Sequence, residues 1–333
     1  MRPHLQYAVG KTVSIIFFSL LLLCGSARAQ HLSFGAEKPV VEIGLNFGPT
    51  FFLGDLGGHA GEGTRFLKDL NFPLTKWMKG VFATVYPADW IGFRVAGQYT
   101  YVEGRDNIIS TKGEDELWRK QRNLDFRSSV WEAYGAIEIF PTMMLKRYDD
   151  YDPRFRPYGF IGVGIFHFNP EGSLTDANGR VTWHKLHPLR TEGQGMEEYP
   201  AKKPYKLTQL NIPFGGGIRM NVSERVNTSI ELLYRKTFTD YIDDVSTEYI
   251  DPNDFDKYLT TQDALIARQI HDKTVGILIP GITRYEPGTQ RGNPKQKDAY
   301  FSCVLKMGIR LGAEVGNTAE KRAARQRRCP HFF

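Results

Sequence analysis

The sequence has little of what makes most functional classes readable. It holds 3 cysteines in 333 residues, and Cys24 falls inside the N-terminal apolar stretch. Cys303 and Cys329 alone make neither a disulfide framework nor a metal-ligand spacing. The one long apolar run, Val13 to Leu23, covers about 11 residues, whereas a spanning helix needs roughly 20. A one-signed charged surface is missing as well. The net charge is +6, and Arg2, Lys11 and Arg28 carry half of it. The tail carries the rest, with Lys321, Arg322, Arg325, Arg327 and Arg328 against Glu314 and Glu320. The body between is close to neutral, which argues against a nucleic-acid-binding face.

A catalytic constellation is equally hard to find. His59, His167, His184, His187 and His271 are scattered through loops and strand ends, with no nucleophile placed beside them. The pair His184 and His187 lacks further ligands at metal spacing. Gly215, Gly216 and Gly217 stand in a strand pattern, where a phosphate-binding loop would precede a helix. Asp240, Asp243, Asp244, Asp251, Asp254 and Asp256 are candidates for calcium, but without the fixed spacing of a calcium loop. Solvated loop acids are the plainer reading. No catalytic, cofactor-binding or metal residue is assigned, and no small-molecule substrate is evident.

What is present begins with an export signal over 1–29: a basic start, the apolar run, and the small-x-small site Ala27-Arg28-Ala29 before Gln30. Lipidation at Cys24 is the alternative, although Leu23 stands where such processing favours a small residue. A short lead over 30–39 follows, then a body over 40–312 and a basic tail over 313–333.

The body reads as strands of period two. They are expected at Val40–Phe47, Met78–Tyr86, Ile91–Val102, Ser128–Phe140, Tyr158–Phe168, Leu207–Asn221, Val226–Lys236 and Ala299–Leu311. Between Val102 and Ser128 the stretch GEDELWRKQR suggests a short helix at a loop tip. From Glu231 to Tyr249 the chain changes character. Ile230, Leu232 and Tyr234 alternate with Glu231, Leu233 and Arg235, then an acidic, turn-rich run is expected to leave the packed wall for water.

Connections alternate long and short, the pattern of an all-β, eight-stranded antiparallel up-and-down transmembrane barrel with long surface loops and short periplasmic turns. Aromatics near strand ends, at Tyr86, Trp90, Tyr101, Trp131, Phe140, Tyr158 and Phe168, suit interfacial girdles. A soluble exported barrel or sandwich would show the same alternation with the faces exchanged. With the polar face inside, the lumen receives Glu42, Arg94, Glu132, Glu138, Arg219, Glu231, Arg235, Lys306 and Arg310. Eight strands leave just enough room for side chains, and buried charges must pair. The expectation is a salt-bridged plug in which Lys306 and Arg310 lie beside Glu42.

Several stretches carry a resemblance: FFLGDL at 51–56, RNLDFRSSVWE at 122–132, RPYGFIGVGIFHFNP at 156–170, LRTEGQG at 189–195, QLNIPFGGGIR at 209–219, YRKTFTDYIDDVSTEY at 234–249 and QRGNP at 290–294. In order and number they resemble the PorG-like outer-membrane β-barrel family of Bacteroidota, a component of the type IX secretion system. The resemblance implies localisation in the cell outer membrane and a non-enzymatic structural or assembly role. It also implies anchoring of a periplasmic ring of PorK- and PorN-like proteins, with no catalytic residues to carry over. Related barrels end on an aromatic residue at the last strand, whereas this chain runs on past Leu311 to Phe332 and Phe333. A small outer-membrane porin and a rim-sited enzyme are the competing functions.

Overall fold

Register closes this chain on itself. The computed structural model describes residues 39–56, 74–109, 114–144, 153–176, 178–223, 225–274, 278–279 and 284–311. The expected export signal with Cys24, the basic tail with Cys329, and His59 lie outside them. The strands are β1 (Val40–Leu53), β2 (Lys76–Ala88), β3 (Ile91–Arg105), β4 (Asp125–Ile139), β5 (Phe155–Thr175), β6 (Val181–Lys185), β7 (Thr208–Asn221), β8 (Val226–Thr237) and β9 (Ala299–Leu311). Among the described residues the two longest helices stand in the long loops, α1 (Glu114–Arg122) and α2 (Thr261–His271).

The hydrogen-bonded order is β4-β3-β2-β1-β9-β8-β7-β5, and β4 also pairs with β5. The result is a closed antiparallel barrel of eight strands. The first and last strands meet along Val41–Leu311 and Leu45–Met307. The ninth strand, β6, was not legible in the sequence and pairs only with the upper end of β5, from Glu171–Lys185 to Thr175–Val181. Several strands outrun their expected ends. β1 takes in the first half of FFLGDL, and β5 runs seven residues beyond Phe168, because ladder pairing continues after the apolar alternation has faded.

The two faces settle which kind of barrel this is. Val163 is 72% exposed and Leu210 65%, while Arg94 is 1%, Arg235 0% and Lys306 2%. Apolar residues outside and charges inside invert the order of a soluble barrel, and this is the construction of one that spans a bilayer. From Trp131 to Ile139 the outward face of β4 stays apolar. At about 3.3 Å per residue and a tilt near 40°, that span is roughly 20 Å tall. Among the described residues, no helix is long and apolar enough to cross a membrane.

The expected girdle needs correction. Tyr86, Phe140, Tyr158 and Phe168 are buried, and Trp90 is half-buried; only Tyr101 and Trp131 face outwards. The buried tyrosines share the parity of the lumen charges, and their rings fill space that small residues leave. In β7, a β-carbon on Gly215 would come within 2.9 Å of the Phe160 ring. The glycine run is therefore a gap in one wall that admits rings from the next.

Candidate functional site

Two buried polar systems occupy the molecule, one in the lumen and one above it. In the lumen, Arg94 of β3 donates to Glu231 of β8, Nη1 to Oε1 at 3.0 Å and Nη2 to Oε2 at 2.8 Å. Four strand steps separate β3 from β8 in either direction, so this pair spans the full width of the barrel. Arg94 also pairs with Glu138. Lys306 stands between the two acids, 3.3 Å from Glu138 and 3.6 Å from Glu231. Tyr158 donates to Glu231 at 2.7 Å and Tyr86 to Glu138 at 2.8 Å.

Nearer the short turns, Arg219 reaches Glu42 at 2.6 Å and lies over the Tyr86 ring. Nearer the long loops, Arg235 pairs with Glu132 at 3.2 Å, donates to Ser302 Oγ at 2.6 Å and lies over the Tyr300 ring. All nine expected lumen residues turn inwards, eight of them buried and Arg310 half-buried at the rim. The expected partners of Glu42 differ, however. Glu42 and Arg310 are register neighbours, yet the carboxylate is taken by Arg219 and by Asn227 Nδ2 at 2.8 Å. Lys306 belongs to the central pair, and Arg310 donates to Asn221 Oδ1 at 2.7 Å. A strand register fixes neighbours on one wall, but the barrel interior lets long side chains choose partners across it. Arg156, which falls before the expected strand start at Tyr158, is a further buried base on the extended β5.

The second system overturns the expectation that the acidic run after β8 is solvated. Asp240 is 2% exposed and Asp243 and Asp244 are 0%. They lie beneath loops that carry Ile242, Val245, Ile250, Phe255 and α2 into one apolar cluster with Phe126, Phe168 and Tyr300. Asp240 accepts from Ser246 Oγ at 2.7 Å and Asp244 from Tyr205 Oη at 2.6 Å, while other acids of the junction answer irregular buried backbone, whose N–H groups no ladder satisfies. Ile242 N donates to Asp298 at 2.8 Å, Leu56 N to Asp243 at 3.2 Å, and Asn293 N to Asp55 at 2.7 Å. Glu192 accepts from Ser246 N at 2.9 Å, Thr247 N at 3.0 Å and Arg291 Nη1 at 2.9 Å. Arg122 holds Asp106 at 2.7 Å and donates to the carbonyl oxygens of Asp55 and Arg291.

Burial shifts the titration of these groups. It raises Asp240 to about 7, against the hydrogen bond from Ser246, and Asp244 to about 6, against the nearby Arg291. Burial also raises Asp243, Asp298 and Asp55, and each is raised further by a neighbouring carboxylate. His271 goes the other way, lowered to about 3 by burial and by Arg291. Its ring lies 2.7 Å from the Thr191 carbonyl oxygen and edge-on to Tyr249.

The other candidates do not converge. His184 contacts Thr182 Oγ1 at 3.0 Å and His187 the Tyr205 carbonyl oxygen at 2.9 Å. Asp254 is bound by Tyr199 and Lys257, and Asp256 by Arg268. Among the described residues, no three acid, histidine or cysteine side chains stand where they could hold a metal ion. Glu192, Arg291, Arg122 and Asp298 carry this junction, and none was singled out from the sequence. Their signal was a charge embedded among glycine, asparagine and proline, as in RTEGQG and QRGNP.

No family model matches the chain, and no curated protein does. Among solved structures it is similar to Ail, the attachment invasion locus protein of Yersinia pestis, crystallised with the heparin analogue sucrose octasulfate. That likeness has a TM-score of 0.31 at 8% identity and covers 82% of this chain and 97% of that one. The outer membrane protein OprG of Pseudomonas aeruginosa matches at a TM-score of 0.31 and 9% identity, over 81% and 95%. Neisserial surface protein A matches at 0.30 and 8%, over 82% and 97%. The topology of the present barrel rests on its own register.

Proposed function

We propose that the chain is a non-enzymatic outer-membrane barrel serving as a structural component of a type IX secretion apparatus, with its short-turn rim towards a periplasmic ring. The observation that carries the structural role is the charge pairing between opposite walls. Arg94 bridges to Glu231 across the full width, and Arg219–Glu42 and Arg235–Glu132 close the lumen below and above it. Above the lumen, loop residues Ile242, Val245 and Phe255 pack with Phe126, Phe168 and Tyr300 of the wall. Such a barrel offers surfaces and anchorage, and ion pairs reaching across the lumen count against the small-porin reading.

The type IX assignment rests on the resemblance. FFLGDL, RNLDF, LRTEGQG, TFTDYIDDVS and QRGNP, far apart in the chain, contribute Asp55, Arg122, Glu192, Asp244 and Arg291 to one bonded junction. A set of motifs that builds one unit is better support than the same motifs scattered. The junction lies on the loop side, opposite the rim where β1 begins and β9 ends, so periplasmic anchoring falls to the short-turn rim.

The test is crosslinking in cells followed by purification of the full-length protein. Recovery of the periplasmic ring subunits, together with a silent planar bilayer, is the expected result. Absence of ring subunits with normal cargo export after deletion would sink the secretion role. Steady ion conductance would instead favour the channel.

A further inference from the structure

One row of the outer wall stands apart. Register sets Phe47, Lys79, Tyr99, Trp131, His167 and Thr208 side by side across six strands. Above it, past Ser129 and Asn169, the outer face becomes charged, with Arg127 and Glu171 paired at 2.8 Å. Just below it the face is apolar, with Val81 58%, Ile165 49% and Leu210 65% exposed. The row therefore marks the water-side edge of the hydrocarbon band, where aromatic rings collect.

Beneath it the wall is hollowed. Gly97 and Ala133 are register partners, and a β-carbon built on Gly97 would meet nothing within 4 Å. The hollow measures about 710 Å³ and is floored by Gly97 and Ala133 between Val81 and Ile165, with Lys79, Trp131 and His167 at its upper end. Lys79 Nζ lies 5.6 Å from the Tyr99 ring centroid. Among the described residues, no carboxylate pairs with it.

We propose that this hollow seats one acyl chain of an anionic lipid, with the lipid phosphate against Lys79. The hollow opens on the bilayer and its floor is hydrocarbon, so a lipid chain is the occupant the wall already faces. A lysine at the band edge, over an aromatic ring and without an acid, supplies the complementary charge for a phosphate. One such lysine favours an anionic headgroup about fivefold.

Native mass spectrometry of the full-length protein in detergent tests this, with phosphatidylglycerol and phosphatidylcholine of identical chains added separately. The expected result is one phosphatidylglycerol retained about fivefold more than phosphatidylcholine. Lys79→Gln should level the two, and Gly97→Leu, which fills open space, should abolish retention of both. Heat-modifiable gel migration checks folding, and Ala133→Leu fills the same hollow should Gly97→Leu misfold. Equal retention of the two lipids, or retention unchanged by filling the hollow, overturns the proposal. So does a dimer that Gly97→Leu dissociates, which would make a second copy the occupant.

Discussion

In the barrel wall, Val163 and Leu210 face outwards while Arg94, Glu231 and Lys306 are sealed inside. In the loops above, Ile242, Val245 and Phe255 are sealed inside and Leu265 of α2 is 53% exposed. The two regions invert one another, and their acids have different partners. Glu42, Glu132, Glu138 and Glu231 accept from Arg, Lys, Asn, Gln and Tyr side chains, because the strand ladder already satisfies the backbone. Glu192, Asp243, Asp298 and Asp55 accept from backbone N–H groups, because irregular loops have no ladder. Buried carboxylates thus close a lumen in one place and replace missing secondary structure in the other.

The largest effect expected is from the centre of the lumen. Arg94→Met leaves Glu231 and Glu138 with Lys306 as the one direct ion-pair partner among the described residues and should cost about 3–5 kcal/mol, read from urea unfolding in lipid vesicles. Adding Glu231→Gln to the same chain should recover part of that loss, since the second charge is then no longer stranded. A null effect of Arg94→Met would mean that water reaches the pair, and the plug would have to be abandoned.

The next comparison sets lipid against water. Val163→Lys, on the barrel wall, should cost about 2–4 kcal/mol near the bilayer midplane. Leu265→Lys, at a comparably exposed site on α2, should stay within about 0.5 kcal/mol. Equal costs would contradict the inverted reading of the barrel. Arg291→Ala follows, with a loss of about 2 kcal/mol confined to the loops. Glu192 keeps its donors from Ser246 and Thr247, which holds the cost down. Faster proteolysis of the loops with unchanged heat-modifiable migration of the barrel is the readout.

The barrel was legible because its chemistry repeats every second residue. Glu42, Arg94, Glu132 and Glu231 each stood opposite apolar neighbours, and parity alone placed them inside. Parity could not say that Arg219 reaches Glu42, since that contact depends on the curvature of the closed sheet. The girdle expectation, which looked only at nearness to strand ends, misjudged Tyr86 and Tyr158, whose parity is inward. The loops were illegible for a related reason. Asp240, Asp243 and Asp244 in YIDDVS look solvated when only sequence neighbours are considered. The donors that reach Asp243 and Asp244 include Leu56, Thr191 and Tyr205, from segments far away in the chain, and nothing periodic connects them. The helix α2 did have a local signal, in Thr260 accepting from Asp263 N at 3.2 Å.

The smallest expected effect concerns how the loop acids respond to pH. Asp240 titrates near 7 in the folded protein against an ordinary 3.8, so the folded loops bind its proton more tightly than the unfolded chain does. Its contribution is greatest below about pH 4 and is lost as pH rises towards 7, by the linkage of proton binding to folding. His271, lowered to about 3 from 6.5, acts oppositely: burying it neutral stabilises the loops above pH 6.5 and is lost as pH falls. Wild-type loop stability between pH 5 and 7.5 mixes the two, and Asp240→Asn separates them. The variant cannot ionise at that position, so its loops should gain protection at pH 7.5 relative to pH 5 by about 1 kcal/mol compared with wild type, measured by hydrogen exchange. The lumen pairs, bonded to one another inside the barrel and not to Asp240, should show no such difference between variant and wild type. If exchange in the barrel strands shifts along with the loops, the two polar systems are coupled through Tyr300 and Thr237 and must be treated as one.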